Sequence, residues 1–183
     1  TGIFRPVERS PMCGFAGGIS SDLNRCETSL RRSSKHLRHR GPDGKSRFYE
    51  KLSGFGIFGE HHRLAIIDTE SRSLQPMTCM RGCHTLLFNG EIYNHPVLIE
   101  DLPDWKQSLL RTESDTEVLL ELLCSYGLRI LDDLEGMFSF AIWDRDASSY
   151  KLVRDRFGIK PLFFQTGQNE LLFASEARAL IGF

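Results

Sequence analysis

The chain has 183 residues, 40% of them hydrophobic and 26% charged, with a formal net charge of -1, the balance of an ordinary globular protein of one domain. Near-neutrality removes any global electrostatic case for nucleic acid or a membrane surface, and no apolar run approaches the roughly 20 residues of a membrane span. Five cysteines, an odd number with no secretory signal ahead of them, read as free thiols in a reducing compartment, hence a cytoplasmic location.

In chain order, "CGFAGGI" (13–19) reads as a short strand whose glycines allow close approach to its backbone. Residues 22–38 carry Leu23, Leu30 and Leu37 among basic residues, the pattern of an amphipathic helix. It ends at "RGPDG" (40–44), where Pro42 disfavours helix and the glycines suit turns. "GFGIFGEHHRLAIID" (54–68) predicts one or two strands. "TLLFNGEIYN" (85–94) predicts a strand that runs into a tight turn at Asn89–Gly90. "SDTEVLLELLCSYG" (114–127) predicts a helix with a capping box from Ser114 to Glu117 and a stop at Gly127. The last third predicts a meander: "MFSFAIW" with Phe138, Phe140 and Ile142 on one face, then "YKLVRD", "PLFFQ" and "ELLFAS". Antiparallel strands with a few helices define an α+β fold of stacked sheets with helices outside.

The stretch "SPMCGFAGG" (10–18) raises the chemistry. A cysteine at a chain terminus has its own α-amino group, of pKa about 7.7–8.0, as a base for its thiol at neutral pH. One residue then supplies nucleophile and base, and no catalytic histidine is needed. An interior Cys13 is instead a small buried strand residue.

The ordered set "MCG", "RHRGPDG", "HHRLAIID", "FNGEIYN", "SDTEV", "GMFSFAIWD", "RDRFGIKPLFF" and "FASEARAL" closely resembles the glutamine amidotransferase domain of glutamine-dependent asparagine synthetases, members of the N-terminal nucleophile hydrolases. The resemblance covers nearly the whole chain. It implies a four-layer α/β/β/α sandwich of two antiparallel sheets. It also implies attack of a terminal cysteine on the side-chain amide of glutamine, a glutamyl thioester, and ammonia passed through a tunnel to an ATP-using synthetase domain. By the same resemblance Cys13 is the nucleophile, and Asn89 and Gly90 form the oxyanion hole. Arg63 binds the substrate α-carboxylate, as its guanidinium fork suits. Glu91 and Asp115 lie near the α-ammonium, and Leu64, Ala65, Ile66 and Ile67 line the pocket. Arg40 and Gly41 belong either to a loop closing near the site or to a plain helix end and turn. Asn94 supports either the turn or the substrate.

Residues 1–12 are expected to be a leader, tag or propeptide ahead of a domain spanning 13–183, because an amide-linked Cys13 has no free amine. No nucleotide motif is present, so no cofactor is expected in this domain. ATP and magnesium are expected only with a C-terminal synthetase domain or subunit as partner, beside the substrate glutamine. A homodimer is compatible with the family, but the oligomeric state is not set by the sequence. The rival reading is a non-catalytic glutamine-sensing or structural module in which residues 1–12 block Cys13. "CMRGCH" (79–84) offers two cysteines and a histidine, but no second cluster completes a four-ligand site, so no metal is expected and the segment reads as a surface loop with incidental thiols. Cys26 and Cys124 read as core or semi-core helix residues.

Overall fold

Small and apolar residues make β1 (Gly14–Ser20), a strand buried almost throughout. The computed structural model describes residues 13–42, 44–63 and 74–181. Helix α1 (Leu23–Leu37) starts at Asp22, whose carboxylate accepts from Arg25 N–H, an N-cap. It buries Cys26, Ser29, Leu30, Ser33 and Leu37, one helical face. Strand β2 (Gly44–Leu52) returns against β3 (Phe55–Arg63), and β3 pairs on its other side with β1. Strands β8 (Phe163–Gly167) and β9 (Glu170–Ala174) follow much later in the chain, and β9 pairs with the free side of β1. The first sheet therefore runs β2-β3-β1-β9-β8, antiparallel throughout.

The second sheet has the order β4-β5-β6-β7: β4 (Met77–Thr78), β5 (His84–Ile92), β6 (Gly136–Asp144) and β7 (Ser149–Arg154). Two short helices, α2 (His95–Leu98) and α3 (Asp104–Gln107), lead to α4 (Asp115–Tyr126). Gly127 ends α4 with φ +64 and an N–H bonded to Leu123 O, as expected. The Ser114 hydroxyl caps Thr116 N–H, but Glu117 does not complete the box. Its carboxylate accepts from Arg111 N–H, Thr112 N–H and the Thr112 hydroxyl.

The strand period of two sorts side chains into layers. Leu86, Phe88 and Ile92 of β5 and Phe138, Phe140 and Ile142 of β6 pack under α4. The alternate residues Leu87 and Ala141 face the other way and meet Phe15 and Phe173 of the first sheet. Helix α1 and the terminal α5 (Ala177–Ile181) cover the far face of that sheet. The layers are α/β/β/α. The expected meander is corrected: the chain leaves the second sheet after β7 and enters the first at β8. The expected turn at Asn89–Gly90 is also corrected, since both residues lie inside β5, in register with Ser139 and Phe138. No helix among the described residues is long and apolar enough to cross a membrane.

Candidate active site

Cys13 stands half-buried at the head of the central strand β1. Gly14 pairs with His62, so Cys13 lies one step further along, beside buried Arg63 at the end of β3. Arg40, itself buried, donates from Nε and Nη2 to Cys13 O at 3.3 and 3.2 Å and from Nη1 to Glu176 Oε1 at 2.8 Å. Phe15 N–H donates to Ser175 Oγ at 2.9 Å, and Ser175 N–H returns to Phe15 O at 2.9 Å. The motifs "RGPDG" and "FASEARAL" thus hold the first residues of β1 from two sides. Gly41 belongs to this clamp, because a Cβ there would lie 2.4 Å from His62 backbone carbon and oxygen.

Strand β5 presents the second half of the site. Phe138 sends its N–H to Asp155 Oδ2 and accepts Asp155 N–H on its carbonyl. A strand residue's N–H and C=O point to the same side, so Gly90, opposite Phe138, is in a non-hydrogen-bonded pair. Its N–H points out of the other edge of β5. Along that edge β4 ends opposite Leu86, Phe88 N–H is taken by Gln75 Oε1 at 2.6 Å, and Ile92 N–H by Asp115 Oδ2 at 2.9 Å. Between them no strand among the described residues covers the Gly90 N–H. Asn89, only 1% exposed, projects to the inter-sheet side, and its Nδ2 has no hydrogen-bond partner among the described residues. Two donors on adjacent residues, neither with a partner among the described residues, suit an oxygen that gains negative charge.

The charged groups surround these donors. Asp115, at the first turn of α4, is buried, and burial pushes its carboxyl up against the opposing pull of Ile92 N–H and of charge on His95. A buried carboxylate that already prefers neutrality gains from a cationic partner. Lys160 is buried too, and burial is the largest influence lowering its pKa. Arg40 lowers it further, while Cys13, Glu91 and Asp155 raise it. Cys13, Arg40, Glu91 and Lys160 therefore share one electrostatic neighbourhood. Asp155 holds Lys160 there: its carboxylate accepts from Phe138, Phe157, Ile159 and Lys160 N–H. Burial alone would raise that carboxyl, but these donors bring it below the usual range.

Of the residues predicted from sequence, Cys13, Arg63, Asn89, Gly90, Glu91 and Asp115 lie at the β1 and β5 ends just described, while Leu64, Ala65, Ile66 and Ile67 fall outside the described residues. Asn94 takes its structural reading: its amide donates to Asp133 O and accepts from Glu135 N–H. Sequence reasoning missed Gln75 and Lys160. Lys160 sits in "RDRFGIKPLFF", a motif that signalled the family but not this role, and Gln75 left no signal. The reading of 79–84 as incidental surface thiols is corrected, since Cys79 is buried and the segment packs against Cys124 of α4.

A central-strand cysteine, two antiparallel sheets and helices on both outer faces define the N-terminal nucleophile amidotransferase fold. The fold matches the glutamine phosphoribosylpyrophosphate amidotransferase of B. subtilis with a TM-score of 0.68 and 24% identity, over 92% of this chain and 43% of that one. An allosteric regulatory enzyme of purine biosynthesis matches with a TM-score of 0.72 and 22% identity, over 93% and 43%. The chain belongs to the glutamine amidotransferase domain family, whose model matches residues 12–183. It is 37% identical over 174 residues to asparagine synthetase [glutamine-hydrolyzing] 1 of Bacillus subtilis (strain 168), covering 93% of this chain and 27% of the relative. Asparagine synthetase B [glutamine-hydrolyzing] of Escherichia coli (strain K12) is 37% identical over 173 residues, 93% of this chain and 30% of the relative. The chain thus spans less than a third of the length of these relatives.

Proposed function

We propose that this domain hydrolyses the side-chain amide of glutamine and supplies the ammonia to an ATP- and magnesium-dependent synthetase domain. The observation that carries the reading is the pair of donors at Asn89 and Gly90, without partners among the described residues, on a strand of the sheet that packs against the sheet headed by Cys13. The Cys13 amine takes the thiol proton, and sulfur attacks the amide carbon. Asn89 Nδ2 and Gly90 N–H hold the oxyanion while the C–N bond breaks and the proton leaves with ammonia. Water then cleaves the thioester to glutamate. Arg63 takes the substrate α-carboxylate, and Asp115 with Glu91 the α-ammonium. No cofactor is needed for this half-reaction.

The route requires a free amine at Cys13, so residues 1–12 act as a removable leader ahead of the domain at 13–183. The synthetase partner is supported by the similarity to relatives that are glutamine-hydrolysing asparagine synthetases. It is also supported by the edge strand β8, where Phe163 and Phe164 are exposed; exposed apolar side chains at a sheet edge can mark an interaction surface. Five free cysteines suit a reducing cytoplasm.

While Met12 remains joined to Cys13, the second reading, a glutamine-sensing or structural module, has its own support. Glutamate release and glutamine calorimetry on residues 13–183 and on the full chain separate the two. Turnover in the shorter chain alone is expected. Binding without turnover in both establishes the sensor, and equal turnover in both overturns the role of the terminal amine.

A further inference from the structure

The turn between β4 and β5 gathers three thiols and an imidazole that the glutaminase reading does not use. The ligand atoms of Cys79, His84 and Cys124 all lie within 4.8 Å of one another. Cys83 borders this group: its Sγ is 3.7 Å from Cys79 Sγ and 3.1 Å from His84 Nδ1, while Cys124 Sγ is 3.4 Å from that same nitrogen. All of these cysteines are free. We propose that Cys79, Cys83, His84 Nδ1 and Cys124 form a tetrahedral zinc site that clips the β4–β5 turn to helix α4.

Ligand spacing supports the assignment. Two sulfurs each about 2.3 Å from a tetrahedral zinc lie about 3.8 Å apart, and a sulfur and a nitrogen about 3.5 Å apart. The Cys79–Cys83 and Cys124–His84 separations match these edges. Cys83 lies outside the mutually close set, so completing the tetrahedron turns its side chain away from His84 and towards Cys124. Three thiolates and one imidazole are a closed structural donor set that favours zinc over hard cations.

The surroundings are those of a built site. His84 presents Nδ1 to the sulfurs and Nε2 to Asp144 Oδ2 at 3.6 Å, the carboxylate that orients a ligating histidine. Asp144 is itself held by Lys151 Nζ at 2.8 Å. His84 N–H donates to Cys79 Sγ at 3.3 Å, and Gly82, with φ +73, closes the turn through its N–H to Cys79 O at 2.9 Å. Arg145 braces the turn from outside, bonding Gly82 O through its side chain and Cys83 O through its N–H. Binding Zn²⁺ displaces the three thiol protons to solvent and leaves a site of net charge −1, beside the Arg145 and Lys151 cations. The site joins β5, which carries Asn89 and Gly90, to α4, which carries Asp115.

Sequence spacing hid this site because Cys124 lies 40 residues beyond the "CMRGCH" segment, on a helix. The test is metal content of the full 183-residue chain, purified under reductant without metal-affinity resin. About one zinc per chain is expected. Cys124→Ser should fall below about a tenth of that, whereas Cys13→Ser and Cys26→Ser should keep it. Asp144→Asn should bind zinc about 10–100-fold more weakly. Because Cys124→Ser risks misfolding, cobalt(II) titration of the zinc-free wild-type chain gives an independent readout. Tetrahedral d–d bands and thiolate charge-transfer absorption, both abolished by added zinc, are expected. Sub-stoichiometric metal with no thiolate charge-transfer band overturns the proposal.

Discussion

Asn89 is a buried amide with an unused donor, and that combination sets an unusual expectation for its removal. A buried polar group left unsatisfied carries a desolvation penalty of about 1–3 kcal/mol, so Asn89→Ala should leave the Tm unchanged or raise it. An oxyanion donor contributes mainly in the transition state, so the same change should lower glutamate release about 10²–10³-fold. Denaturation and turnover, measured on one variant starting at Cys13, should therefore move independently. A large fall in both would assign Asn89 to packing. At this scale the sequence was partly legible. Cys13, Arg63 and Asp115 carry their chemistry in their side chains, and the motifs around them point to it. Gln75 and Lys160 gain their places only from contacts across the fold, with the Phe88 backbone and with the neighbourhood of Cys13 and Arg40, and residue type alone does not forecast such contacts.

Strand β5 is one continuous element where local rules expect two. Asn-Gly between apolar segments favours a hairpin, but pairing with β6 runs without interruption from His84 to Ile92, and this long-range ladder overrides the dipeptide. Glycine is needed there for space. A Cβ at Gly90 would lie 2.3 Å from Met137 O and 2.6 Å from Phe138 Cα, both backbone atoms that cannot rotate away. Gly90→Ala should destabilise the domain by roughly 1–3 kcal/mol. Thermal denaturation should show a Tm several degrees lower, and an unchanged Tm would mean that the two strands separate freely. Strand β2 was illegible for a different reason. As an edge strand it alternates exposed Lys45, Arg47, Tyr49 and Lys51 with half-buried residues of which only Phe48 and Leu52 are strongly apolar, too weak a pattern to read. Helix α4 was legible because its cap, apolar run and terminal glycine agree.

Among the described residues, the two sheets meet across an apolar layer crossed by polar ties: Tyr150 Oη donates to Phe58 O at 3.1 Å, and His61 Nε2 bonds Phe88 O at 3.0 Å. The second tie joins the sheet of Cys13 to the strand of Asn89, so the geometry between nucleophile and oxyanion donors depends on it. His61 is fully buried, and burial, reinforced by the charges of His62 and Arg63, lowers its pKa from 6.5 to about 4; the bond to Phe88 O only partly offsets this. The sign is fixed by which state takes up the proton. In the unfolded chain His61 protonates as pH falls through 6.5, while in the folded domain it stays neutral until about 4. Between those values unfolding binds a proton, so stability falls with falling pH and levels off below about 4, with a full loss of about 3 kcal/mol. His61→Gln keeps a donor for Phe88 O but cannot titrate. Tm measured from pH 7 to pH 4 should therefore fall less steeply in His61→Gln than in the wild type. Parallel curves would show that acid acts on other groups in this range, and Glu60 is not one of them. Burial alone would raise its carboxyl, but hydrogen bonds from His62 and Arg47 hold it low, so its contribution is lost only at lower pH.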